Sequence, residues 1–188
     1  TTACNFNCPY CYQSGIERDF FLNKEILEKT IKYIKGYLKD RDIQKATAII
    51  HGGEPTLYWE PVTHLLPELA KIFDKKGVKY RTQIVTNGYN LTSEKADLLA
   101  EYNWQRFQVT IDGPPEIHNK RRILKRGGKT FDQILNNIRY VIDNDKIEKV
   151  SLRINYDKAN IDRVPEFLEF IAKNFDVNRI ILSLGFIT

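Results

Sequence analysis

The sequence CNFNCPYC, residues 4–11, contains all three cysteines of this 188-residue chain. The second cysteine follows the first by four positions, and the third follows the second by three. Three thiolates so close together suit a soft metal centre. Structural zinc usually takes four protein ligands, whereas an iron–sulfur cubane held by three cysteines leaves one iron open to a ligand from outside the protein. The spacing therefore indicates a reactive metal centre.

Two other interpretations of the cysteines stay open from the residues alone. A zinc site would need a distant fourth ligand, and the three histidines, His51, His64 and His118, are not spaced like a local ligand pair. A disulfide framework is disfavoured because three is an odd number. In addition, a chain of this length can bury a core without covalent cross-links.

The composition is typical of one soluble globular domain. Hydrophobic residues make up 42% of the chain and charged residues 28%, which is enough apolar material for a sizeable core. No stretch approaches the ~20 apolar residues of a membrane span, and no basic and apolar leader opens the chain. We therefore expect a cytoplasmic protein without a membrane partner.

The net charge of +5 raises the question of an acidic partner. Many of the lysines, however, lie on predicted helix faces, where charges are usually solvated. Examples are Lys24, Lys29, Lys32, Lys35 and Lys39. Nucleic acid is therefore not the expected partner.

Short apolar segments alternate with amphipathic segments along the chain. The predicted strands cover residues 46–50, 80–85, 106–111, 149–155 and 179–184. The predicted helices cover residues 24–39, 61–76, 92–102, 130–143 and 163–174, with a long loop ahead of the fourth. This α/β alternation builds either a doubly wound sheet or a barrel, and both bind ligands at the carboxyl ends of the strands.

The unusual residues of the sequence follow the predicted strands. Ordinary turn chemistry explains any one of these segments, but their shared position at the carboxyl ends favours a common site. The segments are His51-Gly52-Gly53-Glu54-Pro55, Thr86-Asn87-Gly88, Asp112-Gly113 and Gly185.

Three motifs together resemble the radical S-adenosylmethionine (SAM) superfamily. The cysteine spacing, with an aromatic residue just before Cys11, resembles its cluster loop, and residues 51–55 look like its GGEP motif. Residues 110–122, TIDGPPEIHNKRR, are similar to the fourth-strand signature of SPASM-associated peptide and sulfatase maturases. The resemblance implies a partial (β/α)6 TIM-like barrel whose first strand is missing or truncated. It also implies that residues 1–188 are the radical SAM core domain, without the cysteine-rich SPASM domain.

The resemblance assigns roles to individual residues. The implied catalytic and metal-binding residues, which hold a [4Fe-4S] cluster, are Cys4, Cys8 and Cys11. The residues implied around the amino group of SAM are Gly52, Gly53, Glu54 and Pro55. Other implied SAM contacts are the hydroxyl of Thr110 at the ribose, the guanidinium of Arg122 at the carboxylate and the backbone of Tyr10 at the adenine. Further cofactor-binding candidates are Thr86, Asn87, Asp112 and Arg153.

Some of these residues also have purely structural interpretations. The alternative for Glu54 is a cap of the helix after it. The alternative for Thr86 and Asn87 is that they only shape a turn. Arg122 belongs to a basic stretch, residues 120–126, which is alternatively a solvated loop or a clamp for an acidic peptide. We expect His118 to be structural rather than a ligand.

The resemblance also implies a mechanism. SAM chelates the open iron, and one electron from the reduced cluster cleaves SAM to a 5′-deoxyadenosyl radical that abstracts hydrogen from a substrate. The expected partners are a peptide or protein substrate and an electron donor such as flavodoxin or ferredoxin. One alternative is a radical SAM enzyme that acts on RNA or a small molecule. The other is a non-catalytic metal-binding barrel, which would bind zinc or no metal and would not turn over SAM.

Overall fold

The computed structural model describes residues 1–15, 20–102, 104–145 and 147–187. Its helices are α1 (Lys24–Tyr37), α2 (Glu60–Lys76), α3 (Ser93–Ala100), α4 (Pro115–Arg121), α5 (Phe131–Asp143) and α6 (Val164–Asn174). Its strands are β1 (Lys45–Ile50), β2 (Lys79–Thr86), β3 (Trp104–Thr110), β4 (Lys149–Tyr156) and β5 (Ile180–Phe186). Short 3-10 segments cover Pro55–Leu57, Ile161–Arg163 and Val177–Arg179.

The strand order distinguishes between the two expected architectures. The five strands form one sheet in the order β1-β2-β3-β4-β5, and each neighbouring pair is parallel. A doubly wound sheet reverses its strand order, whereas this consecutive order is that of a barrel segment. The carboxyl ends of all the strands therefore lie along one rim.

The helices cover one face of this sheet. Ile84, Phe107 and Leu152, from three neighbouring strands, are fully buried in a cluster with side chains of α3, α5 and α6. A second cluster, which includes Phe73 and Tyr80, lies between the first two helices and the first two strands. Because strand side chains alternate between faces, the intervening residues line the opposite, inner face.

The first residues of the chain run beside the loop that follows β1. The Thr1 carbonyl accepts a hydrogen bond from the Gly53 amide at 2.7 Å, and the Ala3 carbonyl accepts one from the Glu54 amide at 2.8 Å. The chain therefore enters the cysteine loop at the edge of the sheet that β1 forms.

All the predicted strands and helices are present, but the loop predicted ahead of residue 130 contains the helix α4. Its sequence carries ordinary helix signals, namely Pro115 and Glu116 in the first turn and basic residues in the last turn. Seven residues are too few to show a helical hydrophobic period, so this helix was missed. None of the helices that the structure describes is long and apolar enough to cross a membrane.

Candidate active site

The cysteine loop is held against the segment that follows α4. The Asn7 amide donates to the Ile123 carbonyl at 2.7 Å, and the Lys125 amide donates to the Asn5 carbonyl at 2.8 Å. Phe6, between the first two cysteines, is 2% exposed and belongs to the main core cluster. A buried aromatic side chain and backbone pairing therefore fix the loop at the rim of the sheet.

Gly52 and Gly53 make room for the segment that leads into the cysteine loop. A Cβ atom on Gly52 would lie 2.1 Å from the Thr1 carbonyl oxygen, and one on Gly53 would lie 2.3 Å from the Ala3 carbonyl oxygen. Any larger residue would push this segment away from the GGEP loop. The two glycines therefore help to place Cys4, whatever they contact in a bound ligand.

Glu54 lies at the centre of a junction formed with Thr56, Thr86 and Asn87, here called the Glu54 junction. Its Oε1 accepts hydrogen bonds from the Thr56 amide at 3.0 Å, the Thr56 hydroxyl at 2.6 Å and the Thr86 hydroxyl at 2.7 Å. Its Oε2 accepts one from the Asn87 amide at 2.7 Å. The side chain is fully buried, and Pro55 starts the short helix that it caps. Glu54 thus joins the ends of β1 and β2, and its contact with SAM stays a prediction.

Asn87 connects this junction to the cysteine loop. Its Nδ2 donates to Asn5 Oδ1 at 2.7 Å, while its Oδ1 accepts from the Tyr89 amide at 3.0 Å. Thr86 and Asn87 therefore do more than shape a turn. The contribution of Asn5 was not predicted, because nothing in a short loop sequence reveals a partner 82 positions away.

A second junction, the Asp112 junction, consists of Tyr10, Asp112, Arg121 and Arg122. The Tyr10 hydroxyl donates to Asp112 Oδ2 and accepts from Arg122 Nη1 at 2.8 Å. Arg121 Nε lies 3.7 Å from Asp112 Oδ2, and its guanidinium lies 5.1 Å from the Tyr10 ring centroid. The residue just before Cys11 is therefore fixed by its side chain to the end of β3.

Burial and charge oppose each other in this junction. Burial raises the pKa of the Asp112 carboxyl, and the Arg122 guanidinium counteracts that rise. Burial also raises the pKa of Tyr10 above its usual range. For Arg122, burial alone would lower the pKa, but the facing Tyr10 and Asp112 raise it. The guanidinium therefore stays charged beside the cysteine loop.

Both arginines have buried nitrogen atoms without a hydrogen bond in the described part of the chain, although Arg121 forms ion pairs with Asp112 and Asp157. Among the described residues, the buried Nε and Nη2 of Arg121 and the buried Nε of Arg122 have no hydrogen-bond partner. Buried N–H groups without a partner are costly, so they suit the binding of an anion. The basic run around Arg121 was visible in the sequence, but its contact with Tyr10 was not.

His118 supports the Asp112 junction through hydrogen bonds to the Asp112 backbone and, by way of Thr130, to the Arg122 backbone. Its Nδ1 accepts from the Asp112 amide at 3.3 Å, and its Nε2 lies 3.0 Å from the Thr130 hydroxyl. That hydroxyl in turn donates to the Arg122 carbonyl at 2.8 Å. Burial lowers the pKa of His118 to about 3, so the ring is neutral. This geometry fits the structural role expected for His118.

Thr110, the last residue of β3, is the register partner of Arg153 in the middle of β4. Arg153 Nε donates to Asn155 Oδ1 at 3.0 Å, and its Nη1 donates to Ser183 Oγ at 3.2 Å. A Cβ atom on Gly185 would overlap the Arg153 guanidinium at 1.9 Å. Gly185 is therefore the residue that leaves space for this side chain on the inner face.

The three thiols fit an iron–sulfur cluster better than zinc. All three are free and half-buried. Burial raises the pKa of Cys8 to about 11 and raises that of Cys4, while Arg122 lowers both. Among the described residues, no group of three or more His, Cys, Asp or Glu side chains is arranged to hold a metal ion, the three cysteines included, so it is the chemistry and spacing of the thiols that indicate a cluster. Three soft ligands without a fourth suit a cubane with one open iron, whose charge would stabilise the thiolates.

Comparison with known proteins places this site in a family. The model of the Radical SAM superfamily matches residues 1–171. The chain therefore belongs to the radical SAM superfamily. It is an enzyme of that class, with a [4Fe-4S] cluster and SAM as its cofactors.

Relatives and solved structures agree with this assignment. A serine-type anaerobic sulfatase-maturating enzyme of Bacteroides thetaiotaomicron is 29% identical over 146 residues, 72% of this chain and 33% of that protein. An Fe-coproporphyrin III synthase of Methanosarcina barkeri is 28% identical over 173 residues, 92% of this chain and 39% of that protein. The structure of native anSMEcpe with bound AdoMet and Kp18Cys peptide matches with a TM-score of 0.84 and 22% identity, covering 100% of this chain and 49% of that chain.

Two conclusions follow from these matches. The structural match confirms the partial TIM-like barrel. The chain spans between about a third and a half of the length of these proteins, with shares of 33%, 39% and 49%.

Proposed function

We propose that this chain is the radical-generating core of an enzyme that modifies a peptide or protein. Cys4, Cys8 and Cys11 would hold the cluster, and SAM would bind at its open iron. When bound, the cluster supplies the electron that cleaves SAM to the 5′-deoxyadenosyl radical, which takes a hydrogen atom from the substrate. A reduced flavodoxin or ferredoxin would be the source of that electron.

The observation that carries this proposal is the convergence of the three motifs on one rim. Asn87 ties the cysteine loop to the GGEP loop with a hydrogen bond of 2.7 Å to Asn5. Tyr10 ties the same loop to the fourth-strand motif through Asp112 and Arg122. Motifs that lie up to 118 positions apart in the sequence, from Cys4 to Arg122, therefore belong to one site.

The residues of the chain would bind and orient SAM around the cluster. The carbonyl groups of Gly52 and Gly53 would accept from its amino group, and the Thr110 hydroxyl would contact its ribose. Arg122 would bind its carboxylate, since a buried guanidinium with an unpaired Nε is a strong partner for that group. The backbone of Tyr10 would contact its adenine. Glu54 would be a further contact of the amino group, and Asp112 holds Tyr10 in place through its hydroxyl.

A peptide or protein is the proposed substrate because relatives of this chain are named as sulfatase-maturating enzymes. The inner face of the partial barrel also suits a large substrate. Formylglycine formation and thioether cross-linking are both compatible with this core. A small molecule is the alternative substrate class, since a relative of similar identity is named as an Fe-coproporphyrin III synthase.

Hydrogen transfer from a labelled peptide tests the proposal. The reconstituted protein would be reduced without oxygen and incubated with SAM and a peptide whose cysteine or serine carries deuterium at the β-carbon. We expect deuterium in the 5′-deoxyadenosine, and a Cys8→Ala variant should form no 5′-deoxyadenosine at all. Cleavage of SAM with deuterium absent for both peptides, but transfer from a labelled porphyrin precursor, would contradict the peptide substrate.

A further inference from the structure

The strands of this sheet carry basic residues and no acidic ones. Within the bounds of β1 to β5, every charged residue is a lysine or an arginine. These six residues, here called the basic inner face, are Lys45, Lys79, Arg81, Arg106, Lys149 and Arg153. None of the mechanistic steps above uses the first five of them.

All six residues lie on the face opposite the helices. In β2, Tyr80 and Thr82 are buried towards the helices, and the alternate residues Lys79 and Arg81 are exposed. Lys45 is the register partner of Lys79, so it shares that side of the sheet.

The same alternation holds in the next two strands. Phe107 and Leu152 are fully buried among the helices, which turns Arg106 and Arg153 to the inner side. Lys149 shares the face of Arg153, since four positions separate them. The partial barrel therefore has a basic lining.

Like charges stand side by side on this lining. The register pairs Lys45 with Lys79 and Arg106 with Lys149, and neighbouring strands are only ~4.8 Å apart. Like charges directly opposite each other destabilise a sheet. In the part of the chain that the structure describes, none of the six forms an ion pair with an acidic residue. The repulsion is therefore not relieved within the described chain.

The lining also offers polar groups and space. Ser151, on the same face between Lys149 and Arg153, is 1% exposed, and its hydroxyl has no hydrogen-bond partner among the described residues. At the amino ends of the first strands, a cavity of about 610 Å³ is lined by Lys45, Lys79 and Arg81 together with one carboxylate, Asp74. A carboxylate-rich ligand would meet charge of the opposite sign on this face.

We propose that the basic inner face binds acidic side chains of the substrate, an inference that rests on the proposed peptide-modifying function. It gives the site a specificity for acidic peptides. Arg106 lies four residues before Thr110 along β3, a distance of about 13 Å at ~3.3 Å per residue. An extended peptide spans that distance in about four residues. Thr110, the proposed contact of the SAM ribose, marks the place of the reaction. The acidic residues of the substrate therefore lie about four positions from the residue that is modified.

Binding of two labelled peptides tests this proposal. One carries glutamates four positions to either side of a cysteine, and the other carries glutamines there. Fluorescence anisotropy of the reconstituted protein would give both dissociation constants at low and physiological salt. We expect the glutamate peptide to bind about tenfold more tightly, with the preference reduced by salt.

Matched variants locate the binding face. An Arg106→Gln/Lys149→Gln protein should lose most of the preference for glutamate. A Lys24→Gln/Lys32→Gln protein removes the same charge from exposed positions on α1 and should keep it. The absorbance of the cluster in each variant would show that the protein has folded and loaded. Equal affinity for the two peptides, or an equal loss in both variants, would overturn the proposal.

Three further outcomes separate this inference from others. Tighter binding of a single-stranded RNA, abolished by the Arg106→Gln/Lys149→Gln change, would contradict an acidic peptide as the ligand. If the protein forms 5′-deoxyadenosine but does not prefer the glutamate peptide, the inference fails while the proposed function stands. If it forms no 5′-deoxyadenosine and still prefers the glutamate peptide, the function fails and the binding face is retained.

Discussion

The Glu54 junction and the Asp112 junction each bury one carboxylate completely, but the chemistry around the two differs. Glu54 receives its hydrogen bonds from uncharged amides and hydroxyls of Thr56, Thr86 and Asn87. Asp112 lies beside the Tyr10 hydroxyl and the guanidinium of Arg121, within a group of ionisable side chains.

The comparison shows two ways to hold one loop. The Glu54 junction fixes the backbone at the ends of β1 and β2. The Asp112 junction fixes Tyr10 and also keeps positive charge near the thiols, since Arg122 lowers the pKa of Cys8 against the effect of burial. Within the residues that the structure describes, Arg121 and Arg122 keep buried nitrogen atoms without a hydrogen bond. We therefore expect substitutions in the Asp112 junction to disturb charge and those in the Glu54 junction to disturb geometry.

The largest effect is expected for Asp112→Asn. The variant removes the carboxylate that pairs with Arg121 and that faces the buried charge of Arg122, and breaking a buried ion pair in this way costs about 3–5 kcal/mol. Denaturant unfolding would measure the change in the free energy of unfolding. A second variant, Asp112→Asn/Arg122→Leu, removes both charges and should recover part of the loss. A double variant that is as unstable as the sum of the single ones would contradict charge compensation.

The next effect concerns pH and His118. Its pKa is about 3 in the folded protein and 6.5 in the unfolded chain, so the unfolded state binds the proton first. The stability that neutral His118 contributes is fully present above pH 6.5 and is lost as the pH falls towards 3, up to about 4 kcal/mol. Melting curves across this range should show a steeper loss for the natural protein than for His118→Gln. Parallel curves would be evidence against a neutral buried ring.

Glu54→Gln should have a smaller effect than Asp112→Asn. The amide cannot accept at both positions where the carboxylate does, so at least one hydrogen bond to Thr86 or Asn87 is lost, at about 2–3 kcal/mol. The substitution breaks no ion pair among the described residues, since the partners of Glu54 there are amides and hydroxyls. Urea unfolding would measure the loss, and a substitution of Arg122 should add to it independently. A strong coupling between the two sites would show that the junctions are not separate.

The smallest effect on stability is expected for Tyr10→Phe. The change removes one hydroxyl that donates to Asp112 and accepts from Arg122, both charged groups, a loss of about 1.5 kcal/mol. The loop before Cys11 would be less firmly placed, so the yield of reconstituted cluster should fall as well. Iron content per protein would measure that yield. Tyr12→Phe, at an exposed position, is the matched control and should change neither quantity.

The sequence predicted the sheet, the helices and the positions of the motifs because apolar periods and strand-end residues are local signals. The short helix α4 was missed, since its period is too brief to recognise. The partners of Glu54 and Tyr10 were also not predictable. Apart from Thr56, they lie 32 or more positions away and are set by packing. The contact of Gly52 and Gly53 with SAM stays a prediction, and the structure adds that a side chain at either position would collide with the backbone of Thr1–Ala3.

The most direct test is electron paramagnetic resonance of the reconstituted and reduced protein, with and without SAM. Three cysteine ligands and one open iron predict a reduced cubane signal that changes when SAM is added and is absent in Cys8→Ala. They also predict 5′-deoxyadenosine in the same sample. A protein that bound one zinc ion, with no signal that responds to SAM, would contradict the assignment of the cysteine loop as a radical SAM centre.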